Sequence, residues 1–158
     1  MIMHNYKSLI LSLIILVLIA GCGGKKGEKL IVNEMGLTMN IPVGWKMDEY
    51  NSRLFYDPQK SHDTYGNVED AVIQGQTLDK YVDSYYQHGY PVKIKSKTSK
   101  KIGDYDAIEV VTESVYITNE MFIERGNRVI HISLRCLKAD YPKWETQFKK
   151  SFNSINVI

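Results

Sequence analysis

Hydrophobic positions follow three patterns along the 158 residues. Over 9–20 they are nearly continuous, over most of 30–137 they alternate with polar ones, and in two stretches they recur every three or four residues. Alternation marks half-buried strands, and the three-to-four spacing marks an amphipathic helix. Strands are expected over 30–33, 37–41, 53–57, 68–76, 92–102, 105–116, 121–125 and 129–137. Leu37, Met39 and Ile41 alternate with Thr38 and Asn40, and Pro42 and Gly44 end that strand before Trp45. Gly103-Asp104 and Gly126-Asn127 supply tight turns, whereas 59–67 is polar and reads as an exposed loop.

Two helices interrupt the strands. Over 77–89, Leu78, Tyr81, Val82, Tyr85 and Tyr86 share one face, Thr77 can cap the start, and Asp79 suits the first-turn dipole. Gly89 and Pro91 end it. Over 140–153, Asp140 can cap, Pro142 sits in the first turn, and Tyr141, Trp144, Phe148 and Phe152 make an aromatic stripe. Grouped strands with few helices predict an α+β domain, a mainly antiparallel sheet with helices packed on its faces.

The continuous run belongs to something else. Roughly twelve apolar residues are too few for a span that needs about 20. A short head carrying Lys7 precedes them, and small residues follow, as in a secretory signal peptide. The closing Ile19-Ala20-Gly21-Cys22 resembles the bacterial lipobox. That resemblance implies cleavage before Cys22, a diacylglycerol on its thiol, and acylation of the new amino terminus by a fatty acid such as palmitate. The expected organisation is a lipoprotein signal peptide over 1–21, a lipidated cysteine and flexible glycine- and charge-rich tether over 22–29, and one domain over 30–158.

Charge and cysteine content narrow the partners. A formal charge of +2 becomes about +1 once Lys7 leaves with the signal, which gives no electrostatic basis for nucleic acid. Lys93, Lys95, Lys97, Lys100 and Lys101 are a local exception, and the alternation of the first three would place them on one face of a strand, a solvated face or guarded edge, or alternatively a patch that meets anionic lipid or a partner. Of the two cysteines, lipidation would use Cys22, leaving Cys136 unpaired and, beside Leu134 and Leu137, buried and inert.

Gly36-Leu37-Thr38-Met39-Asn40-Ile41-Pro42, then Gly44-Trp45, resembles the opening of PsbP-like domains. So do the helix start Thr77-Leu78-Asp79-Lys80-Tyr81, the turn Lys101-Ile102-Gly103-Asp104-Tyr105-Asp106-Ala107, and a terminal helix with Phe148, Ser151, Phe152 and Ile155. The resemblance implies an antiparallel sheet with helices on its faces and a binding or assembly role rather than catalysis. It carries no photosynthetic function, because the leader is of bacterial lipoprotein type.

Candidate chemistry is sparse. No nucleophile elbow, His-Glu-x-x-His helix or glycine-rich phosphate loop occurs. The domain's histidines are His62, His88 and His131. His131, flanked by Ile130 and Ile132 on a strand, reads as structural or solvent-facing rather than as a base. Asp57, His62, Asp63, Glu69 and Asp70 gather near one loop where calcium or zinc could sit, although the spacing matches no EF-hand and so polar a loop is ordinarily just solvated. Tyr81, Tyr85, Tyr86 and Tyr90 are core and rim at helical spacing, or alternatively the lining of an aromatic cleft. The expectation is a non-catalytic, lipid-anchored binding or assembly module outside a bacterial cytoplasmic membrane, with an envelope protein partner, no cofactor, and no catalytic or metal residue assigned. The alternatives are a hydrolase with an unrecognised site, for which a concave pocket with converging polar groups would speak, and a carrier of a small ligand or metal.

Overall fold

The computed structural model describes residues 27–87 and 91–158. The expected signal peptide and Cys22 lie outside the described residues, as do His88, Gly89 and Tyr90. The chain runs through β1 (Lys29–Val32), β2 (Leu37–Asn40), β3 (Lys46–Met47), β4 (Leu54–Tyr56), β5 (Tyr65–Val72), α1 (Leu78–Gln87), β6 (Lys93–Ile102), β7 (Tyr105–Glu113), β8 (Tyr116–Arg125), β9 (Arg128–Leu137), α2 (Tyr141–Asn153) and β10 (Asn156–Val157). Among the described residues, no helix is long and apolar enough to cross a membrane.

Seven strands form one sheet in the order β3-β4-β5-β9-β8-β7-β6, and β1-β2-β10 form a second. Neighbours are antiparallel throughout. The architecture is the expected α+β layering. Successive side chains on a strand point to opposite faces, so the apolar β8 and β9 feed two cores. Met121, Ile123, Ile130, Ile132 and Leu134 face Trp144, Phe148 and Phe152 of α2, together with Trp45, Phe55 and the apolar side of β1 and β2. Phe122 and Val129 face the other way and meet Ile108, Val110 and the Leu78 and Val82 of α1.

The small sheet closes the larger core. Its third strand comes from the chain end, where Asn156 and Val157 pair with Thr38 and Leu37. Arg125 donates to the carbonyls of Met35 and Ile158, clamping both ends of that sheet to the main one. Gly36 has φ +58 and lies so close to this clamp that a Cβ there would be 2.8 Å from the Ile158 oxygen. Only glycine meets both demands.

Several expected boundaries move. β5 begins at Tyr65, inside the stretch read as loop, and ends at Val72 rather than at Gln76. The long segment expected to end at Tyr116 instead turns at Ser114 and Val115, and Tyr116 starts β8. That turn lacks Gly or Pro; the Ser114 hydroxyl accepts from the Tyr116 amide and closes it. β3 and β10 have two residues each, too short for a period to show. Thr77 caps α1 loosely, its hydroxyl 3.4 Å from the Lys80 amide. Asp140 does not cap α2 with its side chain: its carboxylate is taken by Lys60 at 2.6 Å.

The lysine alternation is also broken. A register shift between Ile94 and Ser96 bulges β6 at Lys95. Lys95 consequently pairs with Glu113, whereas Lys97 reaches Asp79 and Asp83 of α1 on the opposite face. Lys100 and Lys101 are paired with Glu109 and Asp106. From Lys95 onward the basic run is paired with carboxylates rather than presented as a patch. Such bulged, charged strands also discourage edge-to-edge pairing.

Candidate functional site: a cleft beside the first helix

α1 is too short to cover its face of the sheet. Leu78 and Val82 seal the end carrying Ile108, Val110, Phe122 and Val129. Beyond Phe122 the cross-strand rows of that face turn polar: Glu69 opposite His131, Asn67 opposite Ser133, and Tyr65 opposite Arg135 on β5 and β9. Glu120 and Thr118 continue two of these rows on β8. An open cleft of about 510 Å³ lies over them, bounded by Tyr85 and Tyr86 of α1 and by Val92. That volume is within the roughly 300–1,000 Å³ usual for small-molecule sites.

At its inner end sits a buried polar knot. His131 is 6% exposed and Glu120 5%, and His131 Nε2 lies 3.0 Å from Glu120 Oε1. The Tyr86 hydroxyl donates to Glu120 Oε2 at 2.6 Å. Both carboxylate oxygens are therefore engaged, as a buried charge demands. Phe122 stacks on the His131 ring at 4.4 Å with the planes 3° apart, and Tyr85 meets it edge-on at 5.0 Å. Burial, with the Glu120 charge beside it, pushes the Tyr86 hydroxyl far above its ordinary value. Burial pushes Tyr85 up to about 12. Both phenols stay neutral at physiological pH, Tyr86 donating to Glu120.

The outer end is built around Arg135. Its guanidinium lies 3.5 Å over the Tyr116 ring and 5.2 Å from that of Tyr65, and Nη1 donates to the Tyr65 hydroxyl at 3.0 Å. Nε is buried without a hydrogen-bond partner. The Tyr116 hydroxyl is anchored in turn on Asp63 at 3.2 Å. Between the two ends, Ser133 donates its hydroxyl to Asn67, and Asn67 donates to Glu69.

The sequence-level candidates meet different fates here. His131 is buried rather than solvent-facing; its carboxylate partner, Glu120, is 11 residues away and visible only once β8 and β9 are paired. Tyr85 and Tyr86 line the cleft, while Tyr81 packs on the core beneath α1. The acidic loop does not assemble. Glu69 and Asp70 are strand neighbours on opposite faces; Asp70 is held by Arg53 and Arg128, Asp63 by Tyr116, and Asp57 by the Gln59 amide. No three such side chains are placed to hold a metal ion among the described residues. Cys136 is fully buried on the α2 side, its thiol pushed up to about 12 by burial, and so has no part in the cleft.

Arg135, Asn67, Thr118 and Ser133 were not singled out by sequence reasoning. The one available signal was polar alternation within apolar strands: His131, Ser133 and Arg135 alternate with Ile130, Ile132, Leu134 and Cys136.

Comparison with known proteins bears on the fold. The chain is similar to the solution structure of a cyanobacterial PsbP from Synechocystis, with TM-score 0.60 and 13% identity, over 87% of this chain and 96% of that one. It is similar to a protein of unknown function from Pseudomonas aeruginosa described as a putative regulator, with TM-score 0.55 and 19% identity, over 82% of this chain and 94% of that one. It also matches a Bacteroides thetaiotaomicron structure at TM-score 0.55 and 16% identity, where 85% of this chain covers about half (49%) of the other. No family model and no curated protein matches. The fold is PsbP-like.

Proposed function

We propose that the protein is a lipid-anchored, extracytoplasmic binding module that works without catalysis, and that the cleft beside α1 is its recognition element. The anchor reading rests on Cys22 following Ile19-Ala20-Gly21 and on the tether over 22–29. β1 starts at Lys29, seven positions after Cys22, a reach of about 25 Å at full extension. One domain over 30–158 then stands just outside a bacterial membrane, free to sample ligands or an envelope partner.

The observation that carries the binding reading is the cleft itself, a concavity of about 510 Å³ whose walls combine tyrosine rings with polar side chains. Tyrosines give broad contact area with a polar tip, the chemistry of adaptable recognition. Concavity alone would suit a hydrolase equally well. Acyl transfer, however, needs a nucleophile within hydrogen-bond reach of its base. Here the Ser133 hydroxyl is committed to Asn67, and His131 Nε2 to Glu120, under the Phe122 ring. Among the described residues no hydrogen bond joins a hydroxyl to the imidazole, so the cleft holds no formed nucleophile–base couple. The cleft also favours, within the binding class, a small ligand over a flat protein face.

Native mass spectrometry of the full chain purified from its own membranes tests this. The expected result is a cleaved, acylated amino terminus at Cys22 and a non-covalent adduct of a few hundred daltons that a cleft-filling Ser133→Trp variant does not retain. An adduct held equally by the variant, or turnover of ester substrates abolished by Ser133→Ala, would contradict it.

A further inference from the structure

Within the proposed binding reading, which this inference deepens, the arginines differ in how their charge is met. Arg53 faces Glu34 and Asp70, and Arg128 faces Asp70. Arg125 is spent on two backbone carbonyls. Arg135 alone lines the cleft, and among the described residues its partners are a phenol hydroxyl and two aromatic faces. A half-buried guanidinium normally meets a carboxylate or phosphate, because its fork of donors matches two parallel acceptor oxygens.

We propose that the cleft binds a small organic carboxylate whose acid group is received by Arg135. Nη1 is engaged by Tyr65 and Nε is buried without a hydrogen-bond partner, so the protein leaves donor capacity of this guanidinium unused. A carboxylate entering the cleft would meet the outer nitrogens of the guanidinium, its second oxygen reaching Nε once that buried edge opens. Stacking on Tyr116 fixes the plane of the fork, and Asp63 fixes Tyr116, so the donor group is preorganised. The neighbouring acids do not compete. Glu120 is already satisfied by His131 and Tyr86, and Glu69 accepts from Asn67.

The rest of the lining describes the body of the ligand. Along β9, Arg135 and His131 are four residues apart, about 13 Å at strand rise. Between them the floor is Ser133 and Asn67, with Thr118 and Thr112 beside. Tyr85 and Tyr86 close the far end. A polar or hydroxylated body of up to about 10 Å, ending in a ring or other flat group, fills this floor. The acid end lies at Arg135 and the flat end against the tyrosines.

The test is saturation-transfer difference NMR on the full chain in detergent, with a panel of small acids running from benzoate to glucuronate and their neutral amides. Phenyl phosphate is included as the other common anion. At least one acid is expected to bind saturably, at least tenfold more tightly than its amide and more tightly than phenyl phosphate. Arg135→Gln should weaken that acid at least tenfold, while Arg135→Lys recovers part of it at unchanged melting temperature. Acid and amide binding alike, or an Arg135→Gln variant that binds as the parent does, would overturn the carboxylate assignment. So would preference for phenyl phosphate. Neutral amides that contact Tyr85 and Tyr86 without dependence on Arg135 would leave the cleft a binding site but not for an acid. No panel member of any charge reaching the cleft would sink the binding reading as well.

Discussion

Trp144 offers the sharpest energetic check on how the two layers are joined. It is 5% exposed, meets Trp45 edge-on at 5.3 Å and lies nearly parallel to Phe148 at 6.4 Å. Trp45 in turn touches Phe55 and Phe148, so one indole links α2 to the loop after β2 and to β4. Truncating a buried aromatic to alanine costs about 3–5 kcal/mol, and the upper half applies when rigid neighbours cannot collapse into the space. The neighbours here are aromatic rings fixed from two layers, so Trp144→Ala should cost about 4 kcal/mol. For a domain of this size about 3–4 °C is lost per kcal/mol, which puts the fall in Tm at about 12–16 °C. Lys143 provides the control. Its ammonium lies 4.4 Å over the same ring, but an exposed cation–π contact is worth only about 0.5–1 kcal/mol, so Lys143→Ala should move Tm by no more than about 4 °C. Thermal and urea melts followed by circular dichroism separate the two. A Trp144→Ala shift as small as that of Lys143→Ala would refute the docking of α2 as the seal of the larger core.

Gly66 should be intolerant of any side chain, since a Cβ there would meet the Phe55 ring and come within 2.7 Å of the Ser133 carbonyl. Gly66→Ala is expected to cost about 1–3 kcal/mol in urea melts, and a neutral result would mean that β4 and β5 do not pair as described. Burial raises the Cys136 thiol from its ordinary 9.0 to about 12, so its contribution to stability is fully present below about pH 9 and disappears as pH climbs through 12. Cys136→Ala should flatten that alkaline decline in a pH series of melts, and an unchanged decline would place the thiol in contact with water. Cys22→Ser should leave the protein uncleaved or washed from membranes; retained membrane partition with the acylated peptide mass unchanged would refute the anchor.

The sheet was legible because alternation survives wherever one face is buried. Leu37, Met39 and Ile41 declare their strand outright, and both helices declare their apolar stripes. What stayed hidden depends on register. Glu120 and His131 carry no mark of each other until Phe122 is set opposite His131. Arg135 looks like a surface residue until Tyr65 and Tyr116 are brought to either side of it by β5 and β8. The bulge at Lys95 left no trace in composition either, and it reversed the face on which Lys97 lies. Two-residue strands such as β3 and β10 are fixed by tertiary pairing alone, and no periodic signal can announce them.

Photo-crosslinking in the native membrane tests the binding role of the cleft most directly. A benzophenone amino acid replaces Thr118, on the cleft floor, or Lys149, an exposed residue of α2 on the opposite side of the sheet. Both variants are checked for anchoring and for an unchanged melting curve before irradiation. If the cleft is the recognition element, the Thr118 position yields a discrete adduct that added Arg135→Gln removes, and the Lys149 position yields none. A defined adduct from Lys149 with nothing from Thr118 would contradict the cleft as the place where this protein meets its ligand.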